Sequence, residues 1–159
     1  MKINKDDCFP NVEFFVLGDG GPKTISSSKL FDQKKILLVG VPGAFTPTCS
    51  NDHLPGFLKN YDEFRKRGID EIFFVSVNDP FVMTEWGKSF GNNKINFISD
   101  CNYEFLKKSG LELDLSSIGL GKRLSRFAMV IDNGLISNLF DENGGGLEIS
   151  KAENILSNL

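Results

Sequence analysis

Val41-Pro42-Gly43-Ala44-Phe45-Thr46-Pro47-Thr48-Cys49-Ser50 follows the apolar run Ile36-Leu37-Leu38-Val39 and precedes a stretch with helical periodicity. It reads as a strand-to-helix turn that carries a cysteine. Upstream, Ile36 to Val41 is almost continuously apolar, the pattern of a strand buried on both faces of a mainly parallel sheet. Downstream, Leu54, Phe57, Leu58, Tyr61 and Phe64 recur at three- and four-residue steps with charged residues between them, which predicts an amphipathic helix ended by Gly68. Pro55 lies inside that pattern and should kink the helix near its start.

The remaining segments extend the alternation in both directions. Val12 to Leu17 and Thr24-Ile25 are strands on either side of Gly18-Asp19-Gly20-Gly21-Pro22, and a helical turn can start in Ser26-Ser27-Ser28. Ile72 to Val77 is the next buried strand, and Asp79 with Pro80 caps a helix bearing Val82, Trp86 and Phe90 on one side. Ile95 to Ile98 is a further strand, after which Asp100 caps a short helix through Phe105 and Leu106. Gly119-Leu120-Gly121-Lys122-Arg123 reads as a loop, and Asp132-Asn133-Gly134 joins Phe127–Ile131 to Leu135–Phe140 as a hairpin. Ala152, Ile155, Leu156 and Leu159 mark a closing helix. This order is that of a thioredoxin-like α/β fold, a central mixed β-sheet flanked by helices on both faces, in one domain over residues 1–159. In such sheets ligands gather at the carboxyl ends of the strands, and Cys49 lies just past one.

Composition narrows the chemistry. A chain of 159 residues with 40% hydrophobic and 25% charged content can bury a core without staples. Its 15 Phe residues suggest an aromatic core or an aromatic contact surface. A formal net charge of −3 gives no reason to expect nucleic acid or an anionic membrane, and Arg65-Lys66-Arg67 and Lys122-Arg123 read as solvated edges. No apolar run approaches the ~18 residues of a membrane span. Residues 1–7 lack the apolar centre of a signal peptide, so a cytoplasmic location is expected. Three cysteines, Cys8, Cys49 and Cys101, make an odd count without a Cys-x-x-Cys, which points to reduced thiols. With His53 as the only histidine, none of the paired spacings of a metal site occurs, and no metal is expected.

Cys8 beside Phe9 and Cys101 between Asp100 and Asn102 read as ordinary small side chains. Cys49 differs, because the N–H groups and positive dipole end at a helix start favour thiolate. A cysteine hydrolase needs an opposing base, whereas His53 follows on the same helix. A phosphatase-type loop wants Arg six residues after the cysteine, where Pro55 stands, and a dithiol oxidoreductase wants a second thiol where Thr46 or Asp52 stands. Single-thiolate redox chemistry remains.

Pro42 to Cys49 resembles the peroxiredoxin signature Pro-x-x-x-(Thr/Ser)-x-x-Cys. Continued through Ser50 and His53-Leu54-Pro55-Gly56-Phe57, it is similar to the peroxiredoxin-5 (type II, atypical) subfamily. Ser76 to Val82, Glu85-Trp86-Gly87 and Arg126-Phe127-Ala128-Met129-Val130 resemble later family blocks, so the likeness spans essentially the whole chain. The resemblance implies a thiol-dependent peroxidase that reduces hydrogen peroxide and alkyl hydroperoxides. Cys49 is then the peroxidatic nucleophile, cycling through sulfenic acid. Thr46 holds the peroxide, Arg126 favours thiolate and stabilises charge on the oxygens, and Pro42 shields the thiolate from water. Phe45, His53 and Trp86 are expected as pocket wall or packing, and the family usually forms homodimers.

Recycling stays open at this level. Relatives with an internal resolving thiol carry it where this chain has Ile149, or in the strand where it has Phe73 and Phe74. Either an external thiol such as glutathione, glutaredoxin or thioredoxin attacks the sulfenic acid, with no cofactor, or Cys101 resolves it. A third reading makes the chain a peroxide sensor that passes the oxidised sulfur to a partner as a disulfide.

Overall fold

The computed structural model describes residues 1–91 and 94–159. Nine strands and six helices follow one another as β1 (Glu13–Gly18), β2 (Gly21–Ser26), α1 (Ser27–Leu30), β3 (Lys35–Gly40), α2 (Leu54–Lys59), α3 (Tyr61–Lys66), β4 (Glu71–Ser76), α4 (Pro80–Ser89), β5 (Asn96–Ser99), α5 (Glu104–Ser109), β6 (Glu112–Leu115), β7 (Gly121–Leu124), β8 (Phe127–Asp132), β9 (Leu135–Asp141) and α6 (Ala152–Ser157) among the described residues. Seven strands form one sheet in the order β2-β1-β5-β4-β3-β8-β9. Its centre, β5-β4-β3, is parallel, while β1 and β8 join it antiparallel at either side. This is the mixed sheet expected from the sequence.

Because strand side chains alternate, β3 serves two cores at once. Leu37 and Val39 point into the layer containing Leu54 and Phe57 of α2, Phe64 of α3, Trp86 of α4 and Ile155 of α6. Ile36 and Leu38 point the other way, toward Leu30 of α1 and Phe105 and Leu106 of α5. Helices therefore cover both faces. The phenylalanines are divided between these layers: Phe9, Phe14, Phe31, Phe105 and Phe127 in one, and Phe57, Phe64, Phe74, Phe90 and Phe97 around Trp86 in the other. Their number mainly reflects core packing. Among the described residues, no helix is long and apolar enough to cross a membrane.

Several local expectations match in detail. Asp79 accepts from the Val82 N–H at 2.9 Å at the head of α4. Asn133 and Gly134 take φ of 47° and 84°, as a two-residue hairpin turn with matching twist requires. Asp100 accepts from the N–H groups of Phe105 and Leu106 at 2.9 and 2.8 Å, so it caps α5 from four residues before its first. Burial pushes the Asp100 carboxyl up to about 6, against those two hydrogen bonds.

Two features differ. The amphipathic pattern after Cys49 is not one helix, because the chain breaks at Asn60, whose side-chain N–H returns to the Gly56 carbonyl at 2.8 Å. The segment expected as a loop at 119–123 contains most of β7, which pairs with β6 as a separate two-stranded ribbon. Gly121 and Lys122 masked that strand in the sequence, and no apolar alternation marks it.

Candidate active site

The cysteine turn is held by backbone and neighbouring loops before any chemistry is considered. Gly40 ends β3 opposite Phe127 of β8, and a Cβ there would lie 2.0 Å from the Phe127 ring. Only glycine lets the two strands meet at this height. Beyond it, the Ala44 N–H donates to Asn78 Oδ1 at 2.9 Å, and Asn78 is fixed by the Ser76 hydroxyl at 2.7 Å. Phe45 takes a φ of 62°, uncommon for a side chain of its size, and the Thr46 hydroxyl closes the turn on the Gly43 carbonyl at 2.6 Å.

Helical bonding then starts with the Ser50 N–H on the Thr46 carbonyl at 3.0 Å. Residues Cys49–His53 form a π-helical turn, in which the Leu54 N–H reaches the Cys49 carbonyl. Pro55 explains the widening. It has no N–H to give one turn back, so the helix takes up an extra residue before it. Cys49 opens this turn, fully buried.

Arg126 comes from the opposite side of the site, immediately before β8, and is 2% exposed. Its Nη2 donates to Cys49 Sγ at 3.2 Å, its Nη1 meets His53 Nδ1 at 2.9 Å, and its Nε donates to the Gly145 carbonyl at 3.2 Å. A buried guanidinium with each nitrogen engaged has little freedom to turn. The His53 protonation state follows from its partners. Nε2 lies 3.0 Å from the Ser150 carbonyl, which can only accept, so Nε2 carries the proton. Nδ1 is then a bare acceptor for Arg126. Burial first, and the Arg126 charge second, hold His53 down at about 3, so it stays neutral at ordinary pH. With both ring nitrogens committed, His53 cannot act as a base toward the thiol.

Beside this cluster lies a cavity of about 240 Å³ lined by Pro42, Thr46, Pro47, Thr48, Arg126 and Gly145, with Leu113, Leu115 and Leu120 on its far wall. Pro42, Thr46, Cys49 and Arg126, singled out from the sequence, are thus gathered at one place. Phe45, His53 and Trp86, expected as pocket wall or packing, are not in this lining. Phe45 is 54% exposed, His53 sits behind Arg126, and Trp86 is in the core with its indole N–H on Ser50 Oγ at 2.9 Å. Arg123, the other arginine near β8, does not approach the thiol: it donates to the carbonyls of Pro42 and Leu120 at 3.0 and 2.8 Å. A Cβ on Gly43 would come within 2.8 Å of it. Sequence reasoning missed Asn78, Glu142 and Ser150, which carry no chemistry of their own, and the leucine wall, which belongs to the unrecognised ribbon.

The arrangement suits a sulfur nucleophile. Cys49 itself does not line the cavity, but a small electrophile there meets Arg126, whose Nη2 holds the Cys49 sulfur and whose positive charge stands where negative charge develops. Among the described residues, no three His, Cys, Asp or Glu side chains are grouped so as to hold a metal ion. A lone buried thiol under an arginine, at the carboxyl end of a thioredoxin-like sheet, defines a thiol-based oxidoreductase.

The model of the Redoxin family matches residues 4–156. Peroxiredoxin-2D of Arabidopsis thaliana is 49% identical over 138 residues, which span 86% of this chain and 85% of that protein. Among solved structures, reduced Prx3 of Vibrio vulnificus in complex with hydrogen peroxide superposes with a TM-score of 0.93 at 40% identity, covering 98% of both chains. The antioxidant protein of Plasmodium falciparum, a 1-Cys peroxiredoxin, gives a TM-score of 0.91 at 32% identity, over 99% of this chain and 100% of that one. The chain belongs to the peroxiredoxin family. It is a thiol-dependent peroxidase, and the electrons it passes to peroxide come from a thiol reductant.

Proposed function

We propose that Cys49 is the peroxidatic cysteine, positioned by Arg126, in an enzyme that uses one functional cysteine and an external thiol. The Cys49 sulfur attacks one peroxide oxygen. A sulfur–oxygen bond forms as the oxygen–oxygen bond breaks, sulfur is oxidised to sulfenic acid, and the second oxygen takes a proton and leaves as water or an alcohol. Arg126 Nη2 faces both the sulfur and the departing charge. The Thr46 hydroxyl donates to the Gly43 carbonyl, so what it offers a peroxide is an acceptor for the peroxide's own O–H. Pro42 keeps bulk water off the sulfur. The observation that carries this reading is the 3.2 Å contact from Arg126 Nη2 to a fully buried Cys49 Sγ.

Recovery requires two thiols. The first displaces water from the sulfenic acid to form a mixed disulfide, and the second releases Cys49. Glutathione, glutaredoxin and thioredoxin all supply this chemistry. Support for an external thiol comes from the topology. Cys101 begins the turn into α5, whose Phe105 and Leu106 belong to the core opposite that of Cys49, and β4 separates the two parent strands. Strands two apart are separated by ~10 Å, beyond the ~7 Å reach of a disulfide without rearrangement. Such a cycle suits a reducing compartment such as the cytoplasm. Pairing as a homodimer is supported by Phe45 on the cysteine turn and Phe81 in the first turn of α4, exposed at 54% and 58%. The test is turnover of hydrogen peroxide by Cys49→Ser with each of the three reductants: no turnover is expected, and surviving activity would sink the assignment.

A further inference from the structure

One charged group near the site has no part in the peroxide steps. Glu142 lies just after β9, and its carboxylate accepts from the backbone N–H groups of Glu148 at 2.8 Å, Ile149 at 3.3 Å and Ser150 at 2.8 Å, and from the Ser150 hydroxyl at 2.7 Å. Burial opposes its ionisation, but those hydrogen bonds outweigh burial and hold it below the usual carboxylate range. A charged carboxylate on three successive N–H groups fixes a loop that forms no helix or strand of its own.

That loop is the one that fixes His53. The Ser150 carbonyl takes the Nε2 proton, which leaves Nδ1 free to accept from Arg126 Nη1. The backbone beside Glu142 grips Arg126 from the other side. The Glu142 N–H donates to the Arg126 carbonyl at 2.9 Å, the Arg126 N–H to the Gly144 carbonyl at 2.8 Å, and Arg126 Nε to the Gly145 carbonyl at 3.2 Å. The contacts close a ring: Glu142, the 148–150 loop, His53, Arg126, and back to 142–145. Arg126 Nη2 ties this ring to the Cys49 sulfur.

We propose that Glu142 is a positioning residue for the peroxidase reaction, acting through Ser150 and His53 to fix the imidazole tautomer and thereby the aim of the Arg126 guanidinium at Cys49. Were the Ser150 carbonyl to swing away, the His53 proton could move to Nδ1 and confront Arg126 as donor against donor. Arg126 would then turn, and its second nitrogen would leave the sulfur. This inference rests on the assignment of Cys49 and Arg126 above.

The test is a cycle of Glu142→Gln, His53→Ala and the double variant, each measured for the second-order rate of Cys49 oxidation by hydrogen peroxide. Glutamine is close to isosteric but confronts one of the loop N–H groups with its own amide N–H. Glu142→Gln should slow oxidation by about tenfold to a hundredfold, the scale of a misaligned reacting group. His53→Ala should slow it comparably, and adding Glu142→Gln to His53→Ala should change nothing further. Nitrogen-15 NMR of Glu142→Gln should show His53 leaving a pure Nε2–H state. Multiplicative losses in the double variant, or a folded Glu142→Gln with an unchanged rate and tautomer, overturn the proposal. These results are separable from the Cys49 assignment, which fails only if Cys49→Ser keeps turnover. If Glu142→Gln does not fold, Ser150→Ala removes one of the same bonds and should give a smaller loss with the same lack of additivity; additive behaviour there also overturns the proposal.

Discussion

Acidification from about pH 7 to about pH 4.5 should leave the stability of this protein nearly unchanged, because two buried groups oppose each other. His53 is held at about 3, against 6.5 for the free side chain. Its folded value is depressed, so its contribution is complete above 6.5 and is lost as pH falls from there toward 3. Over that interval the unfolded chain takes a proton that the folded one refuses, a loss of ~2–3 kcal/mol by pH 4.5. Asp100 works the other way. Its carboxyl is raised from 3.8 to about 6, so the folded protein takes the proton first and gains ~2 kcal/mol over the same descent. His53→Gln separates them, since glutamine can accept from Arg126 and donate to Ser150 but does not titrate. Urea unfolding at both pH values should show the variant gaining ~2–3 kcal/mol on acidification relative to the parent, with Glu142 acting equally in both proteins. Equal pH dependence for the two proteins would refute the buried, neutral His53 on which the geometry around Arg126 depends.

Arg126→Gln should lower the rate of Cys49 oxidation by peroxide about a hundredfold to a thousandfold, the scale of one lost charge-stabilising donor, read by stopped-flow fluorescence. Its thermal midpoint should fall as well, since His53 Nδ1 and the Gly145 carbonyl lose a buried partner. Cys101→Ser should leave peroxide turnover with an external thiol unchanged, and oxidised parent protein should carry no Cys49–Cys101 disulfide by peptide mapping; finding that disulfide in the parent would contradict the external-thiol cycle. Gly40→Ala should destabilise by more than the ~1–3 kcal/mol of ordinary overpacking, measured by urea denaturation, because the new methyl meets the Phe127 ring at 2.0 Å.

The layered fold was legible because its strongest signals are local. Ile36 to Val41 and Ile72 to Val77 are apolar without alternation, Asn133-Gly134 fits one kind of turn, and Asp79-Pro80 marks a helix start. The cysteine turn was legible for a different reason: thiol, threonine and two prolines lie within eight residues. Arg126 is 77 positions from Cys49, and only the family likeness tied it to the site. What supports Arg126 was not legible at all. Glu142 and Ser150 look like ordinary loop residues, and their effect depends on a carboxylate meeting successive N–H groups whose direction is set by tertiary structure. The ribbon β6–β7 was hidden because Glu112, Asp114 and Lys122 give it a polar outer row, although Leu113, Leu115 and Leu120 wall the cavity.

One equivalent of hydrogen peroxide added to the reduced protein, followed by dimedone trapping and peptide mass analysis, tests the central assignment most directly. The account predicts a single sulfenic acid adduct on the peptide containing Cys49, and its loss in Cys49→Ser. Adducts on Cys8 or Cys101, with Cys49 unmodified and peroxide consumed, would contradict it.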